Sequence, residues 1–188
     1  MHKPLAKISE HAPKEIKIGP NECRIARQGE RLVARGILAD VVVTMQVPVA
    51  GFAAMLRFSV PEEATVSRPR LQALWDFADD AITLLIDSIR SMGIPLSESI
   101  ISAIGGADIE DVTFDRGKQL ALAVERSLWR QRITLHGKDL GGTMRRGIWL
   151  ESSSGRLIVR SSSSQPAALP SPQEFFVRGS LVTQNVTA

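Results

Sequence analysis

Leu32-Val33-Ala34-Arg35-Gly36-Ile37-Leu38-Ala39-Asp40-Val41-Val42-Val43-Thr44-Met45-Gln46-Val47-Pro48 is the stretch on which the fold turns. From Ile37 to Val47 it is rich in β-branched residues and apolar at odd and even positions alike. That pattern describes a strand covered on both faces. Pro48 ends it, because proline cannot donate to a ladder. Gly51 to Val60 reads as the returning strand, closed by Pro61.

Outward from this pair, Glu15 to Gly19 alternates charged and apolar residues before the turn signal Pro20-Asn21, and Cys23 to Ala26 gives a second short strand. Residues 67–92 predict the clearest helix: Leu71, Leu74, Trp75, Ala78, Ile82, Leu85, Ile89 and Met92 recur at three- and four-residue steps, with Pro69 in the first turn and Gly93 at the end. Its aspartates, Asp76, Asp79, Asp80 and Asp87, fall mostly off that stripe and read as a solvated face. Ile100 to Ile104 is a strand entering Gly105-Gly106. A second amphipathic helix spans about Arg116 to Arg130 on Leu120, Ala123, Val124 and Leu128. Further strands are expected at 133–135, 147–151 and 156–160, with Ser152-Ser153-Ser154-Gly155 as a hairpin loop. Ser161 to Pro172 reads as low-complexity linker, and Phe175-Phe176-Val177 as an edge strand docking back. The expected architecture is α+β: a mixed or mostly antiparallel sheet system with two principal helices packed on it. Residues 1–14 are a flexible lead-in, 15–160 one domain, and 161–188 a linker and tail.

At 188 residues the chain can build a core without staples. Its 44% apolar and 23% charged residues are ordinary for a soluble protein. The net charge of +3 comes from scattered basic residues, which argues against nucleic acid as a partner. Only Arg145-Arg146 forms a pair in a promising loop, so a basic module using Arg145, Arg146 and Arg160 is a weak third reading. The single Cys23 excludes an internal disulfide and a cysteine-based zinc cluster. No apolar run approaches the ~20 residues of a membrane helix. The reading is a cytoplasmic protein with no cofactor and no metal.

Nucleophile chemistry is poorly served by this composition. A thiol hydrolase needs a cysteine activated by a neighbouring histidine or cation. Cys23 reads as a small buried or half-buried strand residue. His2 and His11 lie in the lead-in, and His136 reads as a loop side chain before Gly141-Gly142. Nothing in the spacing joins Cys23 to His136.

Three blocks nevertheless carry a pattern. They are Leu32 to Pro61, Ala103-Ile104-Gly105-Gly106-Ala107, and Asp139-Leu140-Gly141-Gly142-Thr143-Met144-Arg145-Arg146 leading on to Arg160. In this order and spacing they resemble the chemoreceptor glutamine deamidase family, CheD, over about residues 16 to 160. The family segment Thr-x-Gly-Leu-Gly-Ser-Cys falls on Ala34 to Asp40, where only Gly36 is kept. The family His-x-x-Leu-Pro falls on Arg57 to Pro61. By resemblance, Asp40 stands at the nucleophile position, Arg57 at the histidine position and Ala34 at the threonine that orients the histidine. The segments around Gly105, Gly106, Asp139, Gly141, Gly142, Thr143 and Arg146 keep more of the family pattern. The glycine pairs suit tight turns or close backbone approach, and either packing or binding accounts for them.

The resemblance implies a protein of chemotaxis whose partners are a chemoreceptor or a CheC-type phosphatase. With all three catalytic positions changed, the first reading is a degenerate member acting by protein binding. The second is an active protein-glutamine deamidase with a relocated nucleophile, drawn from Cys23, Thr143 or Ser59 with Asp40 or His136 assisting. If Asp40 and Arg57 project into one site, a carboxylate and a guanidinium can pair there in a bidentate arrangement.

Overall fold

A computed structural model describes residues 12–59, 71–108, 116–163, 173–178 and 181–182. The strands are β1 (Lys14–Lys17), β2 (Glu22–Ala26), β3 (Glu30–Ile37), β4 (Val41–Val47), β5 (Phe52–Phe58), β6 (Ile100–Gly105), β7 (Gly137–Leu140), β8 (Met144–Glu151), β9 (Leu157–Ser163), β10 (Gln173–Arg178) and β11 (Leu181–Val182). The helices are α1 (Leu71–Ser91), after β5, and α2 (Arg116–Arg130), after β6. They form an α+β fold with two mixed sheets. One sheet runs β1-β3-β8-β9-β10-β11 and the other β2-β5-β4-β6-β7. Among the described residues only β1–β3 and β6–β7 are parallel pairs.

Two cores explain the layering. Leu32, Ala34, Ile37, Ile148, Leu150, Leu157 and Val159 from one sheet meet Ala26, Val42, Ala53, Met55 and Ile104 from the other. The opposite face of the second sheet, including Val41, Val43, Met45, Val47, Phe52 and Phe58, packs on Ala78, Ile82, Ile89, Leu120 and Val124 of the helices. Strand β4 therefore sits in the middle layer, and all seven of its residues are buried. Val41, Val43, Met45 and Val47 serve the helical core and Val42 the core between the sheets, while Thr44 and Gln46 on the face of Val42 are polar yet buried. Each fully buried Val, Ile or Phe contributes roughly 1.5–3 kcal/mol of apolar transfer.

Several sequence expectations need correction. The stretch 37–47 is not one strand: β3 ends at Ile37, residues 38–40 turn the chain, and β4 starts at Val41. A register shift between Ala34 and Ile37 marks a bulge at the same place. Ile133 to Leu135 is not a strand. The ladder forms later, at β7, where Gly137 to Leu140 pairs with Ser102 to Gly105. Gly137 is the entry because a Cβ there would come within 2.6 Å of Ser102 Oγ. Strand β8 begins at Met144, ahead of the expected Gly147, and Ser161 to Ser163 belong to β9, not to a linker. Strand β10 pairs with β9, but β11 lies beyond it, so β10 is not the edge. Ser67 to Arg70, with Pro69, and residues 1–11 of the expected lead-in lie outside the described residues.

Candidate functional site

The turn at 38–40 places Asp40 between two strands that are not hydrogen-bonded to each other: β3 in one sheet and β4 in the other. Arg57 lies on β5 opposite Val42. Its Nε donates to Asp40 Oδ2 at 2.8 Å, and its Nη2 donates to the same oxygen. Its Nη1 reaches the Arg35 carbonyl at 3.4 Å. Both guanidinium contacts thus converge on one carboxylate oxygen, instead of the two-oxygen fork expected for such a pair. The Arg57 side chain is only 12% exposed and that of Asp40 21%. In this partly buried place the charges are held by each other, and removing either leaves its partner less well solvated than in open water.

The first glycine pair supplies the wall behind Asp40. Gly106 N–H donates to the Asp40 carbonyl at 2.7 Å and Ala107 N–H to the Leu38 carbonyl at 2.7 Å. Gly105 has φ +121° and Gly106 φ +63°, both in territory that side chains disfavour. A Cβ on Gly105 would run into the Asp40 carbonyl oxygen. One on Gly106 would sit 2.8 Å from the Gly117 carbonyl of α2 and 2.9 Å from Ala121 Cβ. Close approach of backbone to backbone accounts for both glycines.

The second glycine pair joins this wall to a second ion pair. Gly141 N–H donates to the Gly105 carbonyl at 2.9 Å, and Asp108 N–H donates to the Gly142 carbonyl at 2.7 Å. On either side of this turn, Arg146 forks onto Asp139, Nε to Oδ2 at 2.9 Å and Nη2 to Oδ1 at 2.8 Å. Arg146 also donates to the carbonyls of Gly141 at 2.9 Å and Met144 at 3.0 Å. Its side chain is 6% exposed. Arg146 thus locks the β7–β8 turn, and the basic module expected from Arg145, Arg146 and Arg160 loses its central member. Arg160 lies over the Trp149 ring at 5.3 Å, with Arg35 also over that ring at 5.6 Å.

The structure thus brings Asp40, Arg57, Gly105 and Gly106 together, and ties Asp139, Gly141, Gly142 and Arg146 to them. Gly36 lies in the β3 bulge beside Arg35. Ala34 is buried between the sheets with Ile37 and Ile104, and offers no polar atom. Thr143 is exposed at the β7–β8 turn.

Cys23 corrects an expectation. It is exposed on β2, an edge strand, and not buried. Neighbouring side chains still crowd its thiol, and the desolvation raises its pKa, Arg24 opposing and Glu22 adding. The direction is opposite to that of an activated thiol. His136 accepts from Ile101 N–H through its ring Nδ1 at 3.1 Å, while its backbone N–H donates to the Ile101 carbonyl at 2.7 Å. Ser59 N–H donates to Asn21 Oδ1 at 2.8 Å, and its buried Oγ has no hydrogen-bond partner among the described residues. Among the described residues no three His, Cys, Asp or Glu side chains converge as metal ligands, and no helix is long and apolar enough to cross a membrane.

The Asp139–Arg146 fork escaped sequence reading as a pair. Its only signal was an acid and an arginine seven residues apart across Gly141-Gly142.

Comparison with known proteins agrees with the pattern. The family described as CheD chemotactic sensory transduction matches residues 55–161, which include Arg57, both glycine pairs, Asp139 and Arg146. A probable chemoreceptor glutamine deamidase CheD of Solibacter usitatus is 30% identical over 164 residues, covering 85% of this chain and 97% of the relative. The chemoreceptor glutamine deamidase CheD of Thermotoga maritima is 27% identical over 144 residues, covering 76% of this chain and 89% of the relative.

Proposed function

The chain belongs to the CheD family, and from that premise we propose that it is a cytoplasmic chemotaxis protein that binds without deamidating. The observation that carries this reading is the closed pair of Asp40 and Arg57. These residues stand where the family pattern has its cysteine and histidine. Amide hydrolysis through a covalent intermediate needs an attacking group and a base that removes and returns a proton. A carboxylate clasped by a guanidinium is a weak nucleophile toward an amide. Arginine stays protonated and cannot serve as the base. Ala34 has no hydroxyl to orient an imidazole.

The scaffold around the site is intact, with the Gly105-Gly106 wall and the Asp139–Arg146 lock both formed. A surface that recognises a chemoreceptor segment, or a CheC-type phosphatase, can therefore outlast the chemistry. A relocated nucleophile has less support. The Cys23 thiol is shifted away from ionisation and His136 already uses Nδ1 on backbone, so neither carries the activation a deamidase needs.

The test is to titrate the protein with cytoplasmic chemoreceptor fragments by calorimetry, then measure the fragment masses. Saturable binding with no gain of about 1 Da per glutamine is the expected result, since amide-to-acid conversion adds that mass. Conversion of even one glutamine by the purified protein would overturn the reading.

A further inference from the structure

The far end of the middle sheet holds a cavity of about 330 Å³ that the proposed function does not use. Val41 pairs with Gly105 beside Asp40, whereas the cavity is lined by Met45 and Ile101, four residue pairs along the same ladder. At about 3.3 Å per residue this separates the two sites by roughly 13 Å. Met45 and Ile101 are core residues, 1% and 3% exposed, so they form an apolar floor, with Ile133 beside them. The rim is cationic. Arg90 from the end of α1 and Arg132 from the end of α2 both line it, and His136 stands with them. Since the Nδ1 of His136 accepts the Ile101 N–H, the neutral ring carries its proton on Nε2 and can donate from there. Among the described residues no carboxylate lines this cavity, although Arg90 also pairs with Asp87 of its own helix at 3.4 Å, which leaves Arg132 as the principal cation of the rim.

A second observation marks Arg132. Helix α2 ends with Arg132 N–H donating to Trp129 carbonyl at 2.9 Å and Ile133 N–H to Leu128 carbonyl at 2.9 Å, the paired bonds of a left-handed helix cap. The residue at its apex normally is glycine, but here it is an arginine with φ +57°. The strained backbone has no structural need of an arginine side chain, and it directs one to the cavity that Arg90 and His136 share.

We propose that this cavity is a binding site for a small amphiphilic carboxylate, an aryl or alkyl acid. The acid's apolar part rests on Met45, Ile101 and Ile133, and its carboxylate meets Arg132, Arg90 and His136. The volume lies at the lower end of the range of small-molecule sites, which suits a compact acid. The proposal stands whether or not the Asp40–Arg57 site is silent.

The test is an NMR titration of the full chain with phenylacetate and hexanoate, alongside phenylacetamide and inorganic phosphate. Saturable shifts at Ile101, Arg132, Thr134 and His136 are expected with at least one acid, and at least about tenfold weaker binding with the neutral amide. Phosphate alone, lacking the apolar part, is expected to bind at least as weakly as the amide. Arg132→Gly separates ligand binding from folding, because glycine suits the left-handed cap. It should hold or raise Tm while weakening the acid about tenfold. Absence of saturable shifts with both acids, equal binding of acid and amide, binding of phosphate as tight as the acids, or unchanged affinity in Arg132→Gly would overturn the proposal.

Discussion

Gly105 has no room for a β-carbon, because one would occupy the space of the Asp40 carbonyl oxygen. This contact fixes where strand β6 ends against the turn that carries Asp40. It also makes the geometry of the candidate site depend on a residue with no side chain. Gly105→Ala combines that collision with a φ of +121° that alanine adopts only under strain. The expected loss is about 3 kcal/mol, near the upper end for a single substitution, or roughly 10 °C in Tm for a chain of this size. Thermal denaturation followed by circular dichroism reads it directly.

Arg146→Ala should cost a similar amount, about 3 kcal/mol, because it leaves Asp139 and two carbonyls without their donor in a buried place. Arg146→Lys keeps the charge but loses the planar fork, and should recover only part of the loss. Chemical denaturation of the two variants separates charge from geometry. Equal stability of Lys and wild type would show that the fork contributes nothing.

Glu151 gives a pH dependence. Burial acts to raise its pKa, but hydrogen bonds from Ser154 and Arg31, together with the charges of Arg31 and Arg156, hold it below the ordinary 4.5. Arg31 Nη2 lies 2.6 Å from the carboxylate. A carboxyl with a lowered folded pKa stabilises the fold above its unfolded pKa. That contribution is lost as pH falls through the folded value. Glu151→Gln should therefore be less stable than wild type by about 1 kcal/mol near neutrality, a modest figure because the pair is partly solvated. The difference should shrink through the acid range below about pH 4.5 and vanish once Glu151 is protonated. Urea titrations of both proteins across that range measure it.

The closed pair itself is accessible to a double-mutant cycle. Asp40→Asn and Arg57→Gln should each destabilise by about 1–2 kcal/mol, and the double variant by less than their sum, because the second change removes a group already orphaned. Additive losses would mean that the two side chains do not support each other.

Much of the fold is legible in the sequence, and what is not has physical causes. The middle strand announced itself because β4 is covered on both faces, and α1 because its apolar stripe repeats at helical spacing. The start of β4 was hidden because Leu38 and Ala39 continue the apolar run through a turn that contains neither glycine nor proline. Strand β7 was hidden because Gly137-Lys138-Asp139-Leu140 has no β-branched residue and owes its strand geometry to its partner β6. Ile133-Thr134-Leu135 looked strand-like, yet Ile133 and Leu135 are apolar because they pack on the helical core as α2 ends. At the site, the Asp40–Arg57 contact matches the expectation that a carboxylate and a guanidinium projecting into one place would pair. The single-oxygen geometry and the burial of Arg146 depend on tertiary packing, which periodicity does not encode.

The central claim is that a CheD-family scaffold with Asp40 against Arg57 binds without deamidating. Its most direct measurement is the mass of chemoreceptor fragments after incubation with the wild-type protein and with Asp40→Cys. Unchanged mass in both cases is predicted, because a thiol restored beside Arg57 and Ala34 still lacks a base and its orienting hydroxyl. A gain of about 1 Da per converted glutamine with the wild-type protein would contradict the account.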